Sequence, residues 1–139
     1  MSIISVVMAA RNAEDTIAEA IESVLNQSFT DFEIIIVNDV SMDRIVSIIS
    51  SYNDRRIRLI DRERNFVQSL NAGLNVSTGK YITRIDANDK MHVDLLKIQH
   101  SIMEEFLDVT VCSCYEITFG EKIQKSALEQ KKPAWLKIL

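Results

Sequence analysis

The sequence predicts an α/β fold with a doubly wound, mainly parallel sheet. Apolar runs of strand length alternate along the chain with stretches whose apolar residues fall at helical spacing. No Asn-Gly or Asp-Gly hairpin dipeptide separates them, so successive strands need crossover connections. The clearest strand candidate, Phe32 to Val37, is apolar at nearly every position, the pattern of a strand covered on both faces. With 139 residues, 47% hydrophobic and 26% charged, the chain has the composition of one globular domain.

Each element has its own signal. Ile3 to Ala9 reads as the first strand, and Ile17, Ala18, Ile21, Val24 and Leu25 form the apolar face of the helix after it. Asn12 is the expected cap of that helix, with Glu14 and Asp15 in its first turn, where the helix dipole favours negative charge. Phe32 to Val37 is the second strand, followed after Ser41 by a short helix carrying Ile45, Val46, Ile48 and Ile49. Ile57 to Ile60 is the third strand, and Phe66, Val67, Leu70 and Leu74 predict the apolar face of a third helix. Gly79 suits a left-handed stop after it. Tyr81 to Ile85, Val93 to Phe106 and Val109 to Tyr115 read as strand, helix and fifth strand. From Glu121 onward, Lys122, Lys125, Lys131, Lys132 and Pro133 precede Trp135, and either a C-terminal helix docking Trp135 and Leu136 or a frayed end fits.

Composition narrows the function classes. Sixteen basic against twenty acidic residues, with no basic run, argue against nucleic acid as a partner. The apolar runs are too short to span a bilayer, and the first residues lack the charged segment of a signal peptide, so a cytoplasmic setting is expected, with peripheral membrane association compatible. Cys112 and Cys114, two apart, are read as reduced core residues. His92 and His100 are read as ordinary surface or partly buried residues, and Met8, Met42, Met91 and Met103 as packing residues. Arg55, Arg56, Arg58, Arg62 and Arg64 read as a solvated face, one or two of them within reach of a diphosphate.

In an open parallel sheet ligands sit beyond the carboxyl ends of the strands, so the chemistry is sought in Ala9 to Asn12, Asn38 to Asp43, Asp61 to Asn65 and Asp86 to Asp89. With only Gly73, Gly79 and Gly120, neither a dinucleotide fingerprint nor a Walker loop can be written. Thr78-Gly79-Lys80 fails as a Walker loop because Leu74 and Tyr81 stand where glycine and Ser or Thr are required. Ala9-Ala10-Arg11-Asn12 lacks the acidic pair of a phosphorylated receiver domain. Asp86-Ala87-Asn88-Asp89 clusters carboxylate and carboxamide oxygens in one loop, a donor set for a hard divalent cation bridging to a diphosphate.

Taken in order and spacing, Ile3 to Asn12, Ala20 to Gln27, Phe32 to Asp39 with Ser41 and Asp43, Asn71 to Leu74, and Gly79 to Asp89 resemble the amino-terminal half of family 2 glycosyltransferases. The resemblance covers residues 1–115 as a nucleotide-sugar-binding domain and leaves 116–139 as a tail. It implies a GT-A fold and inverting transfer of a sugar from a nucleoside-diphosphate donor, expected to be a UDP-sugar, to a saccharide, lipid or protein acceptor, assisted by Mn²⁺ or Mg²⁺. It places the nucleotide against Ala9, Arg11, Asp39, Asn65 and Asp86, and the metal at Asp86 and Asn88 with Asp89 as a substitute ligand. Four positions depart from the pattern: Arg11 replaces an aromatic residue, Asn38-Asp39 an acidic pair, Val40 a glycine and Asn88 the final Asp of D-x-D. Val40 predicts a loop of different shape, because a β-branched residue resists positive φ. The family's general base comes from a further segment with no counterpart after Tyr115, so the alternative is a non-catalytic binding or assembly module of the same fold. Self-association is the expected way to cover an exposed sheet edge or face.

Overall fold

The computed structural model describes residues 2–62 and 65–114. The elements follow in the order β1 (Ile4–Ala10), α1 (Ile17–Leu25), β2 (Phe32–Asp39), α2 (Ile45–Ser50), β3 (Ile57–Arg62), α3 (Phe66–Val76), β4 (Tyr81–Arg84) and α4 (Leu95–Glu105). The strands form one parallel sheet in the order β3-β2-β1-β4. Chain order therefore reverses between β1 and β4. The α/β, Rossmann-like architecture is the expected one.

Every residue of β1 and β2 is buried, as a sheet covered on both faces requires. Ile4, Val6, Met8 and Ala10 of β1 and Phe32, Ile34 and Ile36 of β2 join Ile17, Ile21 and Val24 of α1, Ile45 and Ile49 of α2, and Leu96 of α4 in one core. Gln27 fastens α4 to this layer: its carboxamide donates to the His92 carbonyl at 2.7 Å and accepts from the Leu96 N–H at 3.0 Å. The opposite face carries α3, whose buried residues are Ser69, Ala72 and Gly73. A Cβ on Gly73 would lie 2.5 Å from Val7 Cγ1, so α3 approaches β1 through its small residues. The expected apolar face is thus corrected: Phe66, Val67 and Leu74 are exposed, because the close helix–sheet approach selects small side chains over large ones.

Other expectations also change. Asn12 does not cap α1, which begins behind Thr16 without a side-chain cap. Gly79 sits at a close approach rather than a left-handed stop, since an added Cβ would meet Ser5 N at 2.6 Å. Residues 109–114 form no strand, and Val111 is largely exposed; Tyr115 lies outside the described residues, as does the tail. Without that strand Cys112 is half-buried and Cys114 exposed, so neither is a core residue. Burial, then Cys114, push the Cys112 thiol up. Met8 and Met91 are buried, whereas Met42 is 89% exposed. His92 is exposed and His100 half-buried. Among the described residues no helix is long and apolar enough to cross a membrane.

Glu33 is a buried carboxylate at the amino end of β2. Its Oε1 accepts from Ser5 Oγ at 2.7 Å and from Thr78 N and Oγ1 at 2.8 Å each, while Ser5 Oγ in turn accepts from Gly79 N at 2.9 Å. Burial pushes this carboxyl up, but the hydrogen bonds from Ser5 and Thr78 and the nearby Arg58 outweigh it and hold the group below the usual 4.5. A carboxyl lowered in the folded state contributes stability above the unfolded-state pKa and loses it as pH falls through the folded value. We therefore expect stability to fall as pH drops below about 4.5, and Glu33→Gln to flatten part of that fall. Urea unfolding between neutral and acid pH measures both; an identical acid limb in the variant would contradict the assignment.

Candidate functional site

The carboxyl ends of β1 and β2 and the turn after β4 converge where the strand order reverses, the place an open α/β sheet reserves for ligands. They enclose a cleft of about 410 Å³ lined by Ala9, Ala10 and Arg11 from the end of β1, Asn12, Ala13 and Thr16 from its loop, Asp39 from β2, Phe66 from α3, and Asp86, Ala87 and Asn88. Of the expected residues, Ala9, Arg11, Asp39, Asp86 and Asn88 line it together. Asn65 and Asp89 are not among the lining residues. The Asn65 side chain caps α3, accepting from Gln68 N at 3.0 Å, and its own N–H donates to Asp39 Oδ1 at 2.8 Å. Asn65 thus holds Asp39, only 4% exposed, in the wall. Asp89 N–H donates to the Asp86 carbonyl at 3.0 Å and closes the turn that presents Asp86 and Asn88.

The two loops at the base of the cleft are tied to each other. Asn12 N–H donates to Ser41 Oγ at 3.1 Å and Asn12 Oδ1 accepts from Met42 N at 2.9 Å. Two residues on, Glu14 N–H donates to Asp43 Oδ2 at 2.9 Å and Glu14 Oε2 accepts from Arg44 N at 3.0 Å. That backbone donor, followed by the Arg44 guanidinium, holds the Glu14 carboxyl below its ordinary value. Asn12 and Glu14, expected at a helix start, are used instead to join the two loops. Asn38 completes the tie, accepting from Ser41 N at 3.1 Å and donating to Asp61 Oδ1 at 2.9 Å.

Phe66, expected among the apolar residues of the third helix, is 48% exposed and lines the cleft. Arg84 Cζ lies 5.2 Å from its ring centroid, and Arg84 Nη2 donates to Asp86 Oδ1 at 2.6 Å. The position of Phe66 right behind the Asn65 cap was the available signal. The arginines around the start of β3 serve elsewhere: Arg56 pairs with Asp54 at 2.8 Å and stacks on Phe32, and Arg58 donates to the Val76 carbonyl at 3.1 Å. Arg64 lies outside the described residues.

Two backbone conformations shape the cleft's floor. Asn12 has φ 46° and Val40 φ 48°, both left-handed. Val40 therefore adopts a left-handed conformation that a β-branched residue resists. The loop ties around Asn38, Ser41 and Met42 impose it, at a cost of about 1–2 kcal/mol for a residue with a Cβ.

A match to glycosyl transferase family 2 spans residues 5–137, and the chain belongs to that family. It is 35% identical over 123 residues to a putative glycosyltransferase, EpsE, of Bacillus subtilis, covering 85% of this chain and 44% of that protein. Its fold superposes with TM-score 0.70 and 26% identity on S. aureus TarS in complex with UDP-GlcNAc, covering 76% of this chain and 32% of that one. A mannosyltransferase of Pyrobaculum calidifontis in complex with GDP-Man and Mn²⁺ shares the fold at TM-score 0.63 and 22% identity, covering 68% and 30% of the two chains. The chain spans less than half the length of these proteins.

Val40→Gly would remove the left-handed strain while adding about 0.5–1 kcal/mol of chain entropy to the unfolded state. Chemical denaturation is expected to find the variant as stable as the parent or more so. A loss above about 1 kcal/mol would show that the valine side chain, not its backbone, matters there.

Proposed function

We propose that this chain is the donor-binding half of a glycosyltransferase and that its cleft receives the nucleoside diphosphate of a UDP-sugar. The observation that carries this reading is the meeting of Ala9 and Arg11, Asp39, and Asp86 with Asn88 around one cleft at the reversal of strand order. The likeness to TarS, solved with UDP-GlcNAc, supports a uridine donor. Asp39, fixed through the Asn65 amide, offers a buried acceptor to a donor group of the base or ribose. Arg11 stands at the end of β1, where its planar guanidinium can stack on the base in place of an aromatic ring.

The oxygens of Asp86 and Asn88 in the same cleft wall fit a divalent cation that takes one or two protein ligands and the rest from phosphates and water. Asp86 and Asn88 would supply the protein oxygens beside those of the diphosphate. When bound, such a cation neutralises charge on a leaving diphosphate. A second reading, a module of this fold that binds the donor without turnover, is favoured by the engagement of Asp86 with Arg84 and by the carboxamide at Asn88. The acceptor and its general base belong to the whole protein under the first reading. The two readings share donor binding and separate on sugar transfer.

Asp39→Asn retains a carbonyl oxygen for the Asn65 amide while replacing a carboxylate acceptor, so the fold is expected to survive. Calorimetric titration with UDP is expected to show binding weakened by about 1–3 kcal/mol, the cost of one unpaired buried polar contact. Unchanged UDP affinity in the folded variant would remove Asp39 from the site.

A further inference from the structure

Resting on the nucleoside-diphosphate reading of the cleft, we propose that Arg84 is the residue that grips the diphosphate, using the N–H donors left free while it keeps its hold on Asp86. The parallel register sets Arg84 beside Val7, on the sheet face covered by α3. Its guanidinium therefore meets the start of that helix, with Cζ 5.2 Å from the Phe66 ring centroid, while Nε and Nη2 both donate to Asp86 Oδ1, at 3.1 and 2.6 Å. Phe66 and Asp86 both line the cleft. Arg84 is not itself among the lining residues, but its guanidinium lies over one lining side chain and donates to another.

Charge supplies the reason for this arrangement. The lining carries Arg11 against Asp39 and Asp86, a net negative wall that repels a diphosphate unless the Asp86 carboxylate is covered. Arg84 covers it, and with two of its five N–H donors spent on a single oxygen it keeps the fork that matches phosphate geometry. Its side chain is 50% exposed, so its remaining donors can meet a phosphate at little desolvation cost. The neutral Asn88 removes one further negative charge from the wall, which lets one guanidinium hold phosphates that a more acidic loop would leave to a metal.

The test is calorimetric titration of the 139-residue chain with UDP, UMP and uridine in EDTA, for the parent, Arg84→Gln and Arg84→Lys. The parent is expected to prefer UDP over uridine without metal, and Arg84→Gln to lose UDP affinity by about 10-fold, the scale of a charge-assisted contact, with uridine affinity unchanged. Arg84→Lys, which keeps the charge but not the fork, falls between and carries the test if the glutamine variant does not fold. UDP affinity retained in Arg84→Gln, or UDP and uridine falling in parallel, would overturn the assignment while leaving the nucleotide reading standing. A parent that binds none of the three would overturn both.

Discussion

The arrangement depends on the burial of β1 on both faces, between β2 and β4. Once an apolar strand is paired on both edges and covered on both faces, helices must occupy both sides of the sheet. On one side α1, α2 and α4 bring large aliphatic residues; on the other, α3 lies so close to the sheet at Val7 that its buried residues are the small Ser69, Ala72 and Gly73. The same packing sends consecutive polar side chains at the carboxyl end of β2 in different directions. Asn38 turns to the loops tied around Ser41, and Asp39 to the start of α3, where the Asn65 amide waits. The cleft is thus a consequence of where the sheet reverses its strand order.

Strands and helices were legible because their signals are local. Four of the expected strands form, at nearly the expected places, since runs such as Ile34 to Val37 have no other way to be buried. The fifth was predicted from β-prone residues Val109 to Tyr115, but β-propensity is satisfied only by a pairing partner, and none of the described strands pairs with residues 109–114. The face of α3 was misread because spacing weighs size, whereas close helix–sheet contact favours small residues. Gly73 inside a helical pattern was the signal of that approach.

Within the cleft, Ala9, Arg11, Asp39, Asp86 and Asn88 were accessible from their places after strands, because the fold rule converts position into proximity. The Asn12–Met42 and Glu14–Arg44 ties were not, since they join residues about thirty positions apart through local backbone geometry. Phe66 and Arg84 were hidden for the same reason: their contact depends on the register of β4 against β1. Phe66 brings an aromatic ring to the cleft from α3.

The central claim is that the nucleotide is held at the carboxyl ends of β1 and β2 and the turn after β4. Backbone amide NMR during a UDP titration tests it most directly. The account predicts chemical-shift changes concentrated at Ala9 to Asn12, Asp39, Asn65, Phe66 and Asp86 to Asn88. Changes centred instead on the separate cavity of about 350 Å³ lined by Tyr81, His100 and Cys112, with the carboxyl-end residues unmoved, would contradict it.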